Sequence, residues 1–573
     1  MIDFHVKIDR NKETIKKSSI EDFFRIKPST IIDVDDDTHD LIFWGDPIIP
    51  DGWLNSISNL SVKDIIQSVK GHFYYIFKRK DLQKIFIGNS FLSILPLYYR
   101  MDEDSLEVSD NPLNIKDPGG IGSIDKGFIL ENVLFNYPLF NRSIIKGVSL
   151  LPANHFLEIS PERSNLKSHF SLADFYVDKP APWKNSLDQM SDLFIQQVKD
   201  YLPDQFYYNA LTGGFDGRTL AAAGLGNDRE FTAYCFGSDQ STDAKTAKKV
   251  SAAAGLKYLN IPLDENYINK HSYQNGLEFI LGSSGTATFA RSHYLYAFKK
   301  LAKDANIVVT GNFGSEIFRT VHVIGALISP NLHKLFILPD YDATVKALEN
   351  APEWRLLKRD TFSLEWERLK EDLKTLPVFN PEYATLTKNE QFYLFVFGEI
   401  FRKYFGAEMI NQYKHIINRT PFLDFAFFKA LLKTALSGAY SGFFTHNPLK
   451  RFKGQVLYSH IIRKTFPMFL DIKMDKGYRP ADLLSINGSF RIARAFYKRK
   501  LRGSKNMFGS DPYAVNSAFI HNMQVWKSLK PNETLFNPEL MISSIDNFQA
   551  TRDSLFTALS QAWYINHLLN DND

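Results

Sequence analysis

The chain has 573 residues, enough for at least two domains with large cores, and its formal net charge of +4 is small for that length. The small charge argues against binding of nucleic acid, and an aromatic content of 14% excludes a disordered chain. A single cysteine, Cys235, excludes an intrachain disulfide, and no stretch approaches about 20 uninterrupted apolar residues. We therefore predict a globular cytoplasmic protein without a transmembrane segment.

The first 175 residues contain short apolar runs separated by turn residues. Two examples are Gly71–Lys78 and Lys84–Gly88. Their short length and their aromatic and β-branched composition favour strands over helices. We predict an antiparallel, sheet-rich domain over residues 1–175.

The most informative stretch is a glycine-rich bend between an apolar run and a small-residue helix, within Phe206–Gly224. Gly213 and Gly214 allow several backbone N–H groups to point outward at the positive end of the helix, which makes a seat for an anion. Asp216 would repel a bare phosphate, and a Mg²⁺ between the carboxylate and the phosphate removes this conflict. The alternative is an ordinary strand-to-helix turn.

In the second half of the chain, apolar strands alternate with longer helical segments. The run Phe231–Gly237 is followed by the helical segment Ser241–Gly255, an order that is typical of a parallel sheet. The stretch Asn306–Phe318 again predicts a strand that ends in a turn, where an acidic group meets phosphate and metal. Cys235 lies within an apolar run, which favours a buried structural thiol over a nucleophile.

The last segment, residues 481–573, is predicted to be a helical extension. Within it, residues 490–502 form a basic helix with apolar residues at Ile492, Ala495 and Phe496. Such a helix suits an acidic peptide, a partner protein or an anionic membrane surface. The alternative is a solvated face packed on its own domain.

The bend Thr-Gly-Gly-Phe-Asp-Gly at 212–217 resembles the Ser-Gly-Gly-x-Asp-Ser pyrophosphate loop of the ATP-pyrophosphatases, in the version carried by the asparagine synthetase superfamily. Three further stretches resemble motifs of that family: Asn306–Phe318, Ile417–Asp424 and Asp471–Pro480. The resemblance implies an α/β fold with a Rossmann-like PP-loop ATP-pyrophosphatase domain over residues 183–480.

Three stretches of the first domain resemble the glutamine amidotransferase domain that precedes the synthetase domain in this superfamily: Gly71–Phe77, Ile94–Tyr99 and Asn141–Phe156. The resemblance implies a degenerate αββα sandwich of the Ntn type. Ile2 stands where a working glutaminase of this class has a cysteine whose freed α-amine serves as base. We therefore expect no release of ammonia, as in family members that close rings: β-lactam and carbapenam synthetases and lasso-peptide cyclases.

The resemblance also implies which residues bind ATP and its pyrophosphate: Leu211, Thr212, Gly213, Gly214, Asp216, Gly217, Arg218, Phe236, Gly237 and Gly311. Gly217 replaces the family's second Ser, so one phosphate contact is missing or comes from the backbone. Phe236 and Gly237 are expected to hold adenine through main-chain atoms. A plain core strand is the alternative for these two residues.

Two Mg²⁺ ligands are expected, Asp216 and Glu316. Counted without gaps, the family's metal-binding Asp falls on Ser315, but the local Gly-Ser pair places Glu316 there, and its longer side chain still reaches Mg²⁺. Asn312 stands where the family carries Glu or Tyr near the attacking amine. Because Asn is not a base, the amine proton must be removed by another group or not at all.

The predicted catalytic residues are Lys476, Lys473 and Glu399. The family's motif Lys-x-Gly-Phe-x-x-Pro carries a cation over the α-phosphate, where it lowers the barrier. Asp475 occupies the strict position here, so we favour Lys476, with Lys473 as the second choice and a surface lysine as the alternative. Glu399 is a candidate base partner or a solvated helix charge.

Two remaining motif residues, Arg419 and Asp424, are expected to brace helices. As a whole, the sequence predicts Mg²⁺-dependent and ATP-dependent amide-bond formation through an acyl-adenylate, without glutamine. Macrolactam formation in a peptide is the first choice of substrate. An intermolecular ligase that uses a small amine and an inactive nucleotide-binding partner in a biosynthetic complex are the alternatives.

Overall fold

The computed structural model describes residues 2–55, 60–116, 119–318, 329–440, 442, 452–501, 511 and 513–570. It is a mixed α/β structure with two antiparallel sheets, followed along the chain by one parallel sheet. This confirms the predicted α/β class and the predicted change from antiparallel to parallel pairing. Arg502, the last residue of the predicted basic helix, lies outside the described residues.

The antiparallel region, residues 5–168, contains eleven strands in two sheets. The strands are β1 His5–Asp9, β2 Phe24–Ile26, β3 Ile32–Asp35, β4 His39–Gly45, β5 Phe73–Arg79, β6 Lys84–Asn89, β7 Tyr98–Met101, β8 Ser105–Ser109, β9 Ser149–Leu150, β10 His155–Ile159 and β11 Ser164–Ser168. The five-stranded sheet has the order β2-β1-β8-β7-β9, and the six-stranded sheet has the order β11-β10-β6-β5-β4-β3.

Aromatic side chains are in contact between the two antiparallel sheets. The ring of Phe4 lies 4.9 Å from that of Trp44 on β4 and 4.8 Å from that of Tyr74 on β5. Such edge-to-face and tilted ring pairs add stability beyond the apolar area that they bury. The helices of this region are Lys12–Lys17, Val62–Ser68, Pro112–Ile115 and Lys126–Phe135.

The strands of the parallel sheet are β12 Tyr207–Ala210, β13 Phe231–Phe236, β14 Tyr258–Ile261, β15 Ile307–Val309 and β16 Ile417–Arg419. Their order is β14-β13-β12-β15-β16, and all neighbouring strands run parallel. The chain moves outward from β12 to β14 and then returns to the other side of β12 as β15. Open parallel sheets bind ligands outside the carboxyl ends of the strands at such a reversal.

Helices surround the parallel sheet and form most of the remaining chain. Before and between the strands they are Trp183–Tyr201, Asp216–Leu225, Thr242–Ala253, Glu265–Lys270, Ser272–Gly282, Ser292–Leu301, Gly314–Phe318, Pro330–Ile337, Tyr341–Glu349, Ser363–Leu373, Lys388–Phe395, the π-helix Val396–Phe405 and Gly406–Tyr413. After β16 they are Phe425–Leu431, Lys453–Thr465, Ile486–Leu501, Val515–His521, Met523–Ser528, Pro538–Asp546 and Arg552–Asn570. Within the described ranges, every helix is too short or too polar to cross a lipid bilayer.

Buried polar pairs join the antiparallel region to the parallel sheet. Arg419, at the end of β16, forms a bidentate ion pair with Asp46, with nitrogen–oxygen distances of 2.9 and 3.0 Å. His72 bonds to the hydroxyl of Thr420 at 2.7 Å. The largest apolar core is continuous across this boundary. Arg419 therefore braces the structure, as expected, but it does so by joining the antiparallel region to the parallel sheet.

Candidate functional site

The glycine-rich bend follows β12 and ends in the helix Asp216–Leu225, as its composition suggests. The side-chain amide of Asn209 donates to the carbonyl oxygens of Ala210 and Gly217, at 3.0 and 3.2 Å, and so closes the bend. A β-carbon on Gly217 would overlap the carbonyl oxygen of Ala210. The glycine is therefore required by packing, and a serine like that of the family does not fit here.

The carboxylate of Asp216 collects hydrogen bonds from two distant segments. The hydroxyl of Ser315 donates to its Oδ2 at 2.6 Å, and the hydroxyl of Tyr458 donates to its Oδ1. Gly311 lies against the same residue, because a β-carbon there would be 2.5 Å from the Asp216 Cβ. Asp216 is therefore held as an oriented, half-buried acceptor.

The N–H groups of the bend already have acidic or hydroxyl partners. The Gly213 N–H donates to Asp243 Oδ1 at 2.9 Å, and the Gly214 N–H donates to the exposed Thr212 hydroxyl at 3.2 Å. The Asp475 N–H donates to the Gly213 carbonyl oxygen at 3.3 Å. With Asp216, three carboxylate-bearing residues meet at the bend. This arrangement disfavours a bare phosphate and favours a phosphate that arrives with a cation.

A tight turn presents the predicted lysines beside the bend. The Met474 N–H donates to the Tyr478 carbonyl oxygen at 2.8 Å, and Gly477 takes a φ of +88°, which favours glycine. Lys476 is half-buried at this turn, next to Asp475, and Lys473 is exposed. The structure therefore brings the stretch Asp471–Pro480, through Asp475, to the bend at 212–217.

Arg218 and Leu211 face the protein interior. Arg218 is fully buried and donates to the carbonyl oxygen of Ile472 at 2.6 Å, just before the turn that carries the lysines. Burial lowers its pKa to about 10, although the charge of Asp475 opposes this shift. The Leu211 N–H donates to the Tyr234 carbonyl oxygen of β13 at 2.8 Å. Both residues support the bend from behind, and the nucleotide contact expected of them stays a prediction.

The predicted adenine residues lie at the carboxyl end of β13. Phe236 is surrounded by the rings of His293, Tyr294 and Tyr513, with centroids 5.3 to 5.9 Å away. The Gly237 N–H donates to the carbonyl oxygen of Ile261 at 3.0 Å, so the sheet uses this main-chain donor. A ligand at this end of β13 would therefore meet these aromatic rings, which we call the aromatic wall, rather than a free strand edge.

The neighbouring Cys235 is buried in the same strand. Burial raises the pKa of its thiol to about 12, so the thiolate is scarce at neutral pH. The position suits the structural thiol that the sequence predicts.

The loop after β15 brings Gly311, Asn312 and Ser315 to the bend. Successive residues of a helix project about 100° apart, and Ser315 is directed at Asp216, so the half-buried Glu316 leaves the helix in another direction. This geometry matches the count without gaps, in which Ser315 takes the second metal position. The Asn312 amide lies 3.9 Å from the Met409 sulfur.

Glu399 lies on the π-helix, between two cations. Its carboxylate is 2.6 Å from both Arg402 and Lys403. Burial raises its pKa, but these two charges outweigh burial and hold the pKa below its usual value. Lys403 also donates to the Leu139 carbonyl oxygen at 2.5 Å, and Arg402 donates to that of Leu151 at 3.2 Å. A carboxylate paired in this way is a weak base. Together with the Asp46–Arg419 ion pair, it belongs to the set of polar contacts between the two regions, which we call the joint.

A cavity of about 210 Å³ lies behind the aromatic wall. Its lining includes Arg291, whose guanidinium stacks 3.8 Å above the ring of Tyr404, and Phe556 and Thr557 of the C-terminal helix. Arg291 is also within 6.0 Å of the Tyr294 ring, which contacts Phe236. The cavity is therefore separated from the end of β13 by one layer of side chains.

The fit of Mg²⁺ depends on the donors at the bend. In the described part of the chain, no group of three or more His, Cys, Asp or Glu side chains is arranged to hold a metal ion. A Mg²⁺ that arrives on nucleotide phosphates needs only one or two protein carboxylates. Asp216, oriented by two hydroxyl groups and exposed on one side, meets that requirement.

Sequence reasoning gave no site role to two partners of the bend, Tyr458 and Asp243. Tyr458 lies 242 positions from Asp216 within the helix Lys453–Thr465, so no local pattern connects them. Asp243 lies in the first turn of its helix, which reads as an ordinary helix start. No protein-family model matches the chain, and no curated protein matches it significantly.

Proposed function

We propose that the protein forms amide bonds with ATP through an acyl-adenylate and releases AMP and pyrophosphate. One observation carries the proposal: three segments far apart in sequence, residues 212–217, 311–316 and 474–478, meet at the carboxyl ends of parallel strands where the strand order reverses. These are the segments that resemble the motifs of the asparagine synthetase superfamily. A chance resemblance in three separate strings has no reason to bring all three to the same glycine bend.

The finer architecture is part of the same proposal. The parallel region is taken as a Rossmann-like PP-loop ATP-pyrophosphatase domain, and the antiparallel region as a degenerate Ntn-type αββα sandwich. Two antiparallel sheets joined by aromatic contacts support the second assignment. Because the one thiol, Cys235, is buried in β13, the antiparallel region has no thiol to release ammonia from glutamine. The amine therefore comes from a substrate.

The proposed chemistry has two steps. A substrate carboxylate oxygen attacks the α-phosphorus of ATP, the bond to the bridging oxygen breaks, and pyrophosphate leaves. An amine then bonds to the acyl carbon, loses a proton and displaces AMP. Asp216 would hold Mg²⁺, with the Ser315 hydroxyl rather than Glu316 at the second position, and the ion would neutralise phosphate charge. Lys476, presented by its turn, stabilises the charge that develops near the bend.

We propose the cavity beside Arg291 as an anchoring pocket for one side chain of the substrate, while the reacting amine lies at the bend. At about 210 Å³ it is smaller than a pocket for a drug-sized ligand, so a group the size of one residue enters and the rest of a peptide stays outside. This favours macrolactam formation in a peptide, because the chain holds its own amine near its carboxylate. The small volume also favours the second candidate, a ligase for a small free amine.

A third candidate is an inactive nucleotide-binding partner within a biosynthetic complex. The carboxylates of Asp243 and Asp475 at the bend favour it, since they weaken phosphate binding. This candidate predicts nucleotide binding without release of pyrophosphate under any condition.

The deciding experiment measures ATP binding by calorimetry with and without Mg²⁺, and pyrophosphate release with panels of peptides and of free amines. Asp216→Asn should weaken Mg²⁺-ATP binding and lower pyrophosphate release by about 100-fold or more. Asp228→Asn is the matched control, because Asp228 is exposed just beyond the far end of the same helix, at a φ of +54° that Asn tolerates. Equal behaviour of the two variants would refute the proposed site.

A further inference from the structure

The helix Ile486–Leu501 has one packed face and one uncovered face. On the packed face, the Phe496 ring lies 6.0 Å from Phe452 and 6.3 Å from Tyr478, and Ile492 is buried. These contacts hold the helix against the turn that presents Lys476. The sequence did not decide whether this helix only packs on its own domain. In the structure, one side of the helix packs on the domain and the other side does not.

The uncovered face carries large apolar side chains in a stripe. Ile486 is 86% exposed, Phe490 74% and Tyr497 64%, and the exposed Ala493 lies between the last two. Residues spaced by three or four positions share one face, so these four form a line about 16 Å long. Single exposed apolar residues are common, but a continuous stripe marks an interaction surface.

Cations flank the stripe on the same helix. Arg491, Arg494 and Lys498 are exposed, and the sequence of the helix contains no acidic residue. Arg491 is 2.5 Å from Asp482, which neutralises part of this charge, while Arg494 and Lys498 stand farther along the stripe. The surface is therefore apolar along its centre and positive along its edge.

The geometry points to this face as the docking surface for an acidic, apolar peptide segment, a part of the substrate that lies outside the catalytic cleft. The inference rests on the proposed function. A segment bound to the outer face would lie about one helix diameter, ~10–12 Å, from the turn that carries Lys476. Binding energy gained there positions the reacting group at the bend. Apolar anchors at helical spacing with flanking charges are a recurrent mode of peptide recognition.

The test uses a fluorescein-labelled peptide of glutamate, leucine and phenylalanine, with its apolar residues at helical spacing, titrated with the full chain and followed by anisotropy. We expect binding that weakens with salt, and a loss of about tenfold or more from either Arg494→Glu or Phe490→Ser. Arg368→Glu and Leu364→Ser are the matched controls. Both lie on the helix Ser363–Leu373, where Leu364 is 71% exposed.

Several outcomes would overturn the inference. They are absence of binding, equal losses in the control variants, equal binding of a peptide with lysine in place of glutamate, or tighter binding to phosphatidylcholine vesicles that contain phosphatidylserine. Repeating the titration without ATP and with Asp216→Asn separates the two proposals. Docking should survive that substitution, so loss of peptide binding and loss of adenylation are measured independently.

Discussion

The antiparallel region and the carboxyl edge of the parallel sheet both hold polar side chains, but for different purposes. In the first, Asp46 is buried and pairs with Arg419 across the boundary, which joins two packed surfaces. At the second, Asp216 remains half-exposed and collects the hydroxyls of Ser315 and Tyr458. A buried polar residue therefore does not by itself mark a site. Convergence of distant donors on an accessible group is the more specific sign.

The largest effect is expected at the joint. Asp46→Ala leaves the mostly buried guanidinium of Arg419 without its partner, which costs about 3–5 kcal/mol. Urea denaturation should show this fall in the free energy of unfolding, while the folded fraction keeps its affinity for Mg²⁺-ATP within about twofold. The control is Asp102→Ala, in the more exposed pair with Arg100, which should cost less than about 1 kcal/mol. Similar losses of unfolding free energy in both variants would show that the buried Asp46–Arg419 pair contributes no more than an exposed ion pair.

The next prediction tests whether the family's sequence motif or the local packing decides which residue position 217 can carry. Gly217→Ser restores the family's motif, but its β-carbon would overlap the Ala210 carbonyl oxygen. We expect a loss of about 3 kcal/mol in unfolding free energy and weaker Mg²⁺-ATP binding. Gly398→Ser is the control, since a β-carbon there meets no atom within 4 Å among the described residues. A stable Gly217→Ser variant that binds ATP more tightly would show that the packing argument fails.

A smaller effect is expected at the site itself. Tyr458→Phe removes one hydroxyl donor from the Asp216 carboxylate without changing side-chain volume much. Hydrogen bonds to charged groups contribute about 1.5–3 kcal/mol, so calorimetry should show Mg²⁺-ATP binding at least about tenfold weaker. Tyr207→Phe is the matched control, because its buried hydroxyl has no hydrogen-bond partner among the described residues. If the control weakens ATP binding as much, Tyr458 does not act through Asp216.

The smallest effect is a pH dependence confined to the antiparallel region. Burial raises the pKa of Asp40 from 3.8 to about 6, against the opposing hydrogen bond from the Ile20 N–H. Between about pH 4 and pH 6 the folded chain keeps a proton that the unfolded chain loses, so stability falls as pH rises through this window and is level above it.

The matching variant is Asp40→Asn, which keeps an acceptor for Ile20 and does not titrate. Urea denaturation from pH 4 to pH 7 should show a slope flatter than that of the parent chain by about 1–2 kcal/mol over the window, after allowance for solvent screening. The pH profile of pyrophosphate release should be unchanged. Parallel stability profiles for the two proteins would contradict the assigned shift.

Much of the secondary structure was predictable because its signals are local. The apolar run Phe231–Phe236 is strand β13, and the helical segment expected after it is the helix Thr242–Ala253. The paired glycines predicted the bend after β12, since close backbone approach requires a residue without a side chain. The roles assigned to site residues by resemblance remain predictions, but the convergence of their motifs is now visible.

Other features had no local signal. From its place beside a glycine bend, Arg218 is predicted to contact phosphate. In the structure its guanidinium is buried and donates to the Ile472 carbonyl oxygen. Glu399 reads as a helix charge, yet it joins Arg402 and Lys403 in a buried network. In both cases the direction of the side chain depends on a neighbouring segment that sequence proximity does not reveal.

By itself, the sequence determined the α/β class, the order of antiparallel and parallel regions, the glycine bend and the excess of positive charge on the helix near the end of the chain. Hydrophobic period, glycine placement and charge are properties of short windows, so they can be read without a structure. Only the tertiary structure decided which side chains surround Asp216, why position 217 must be glycine and which face of the helix Ile486–Leu501 stays uncovered. Those features arise from packing between segments up to hundreds of residues apart, and such contacts leave no periodic trace in the chain.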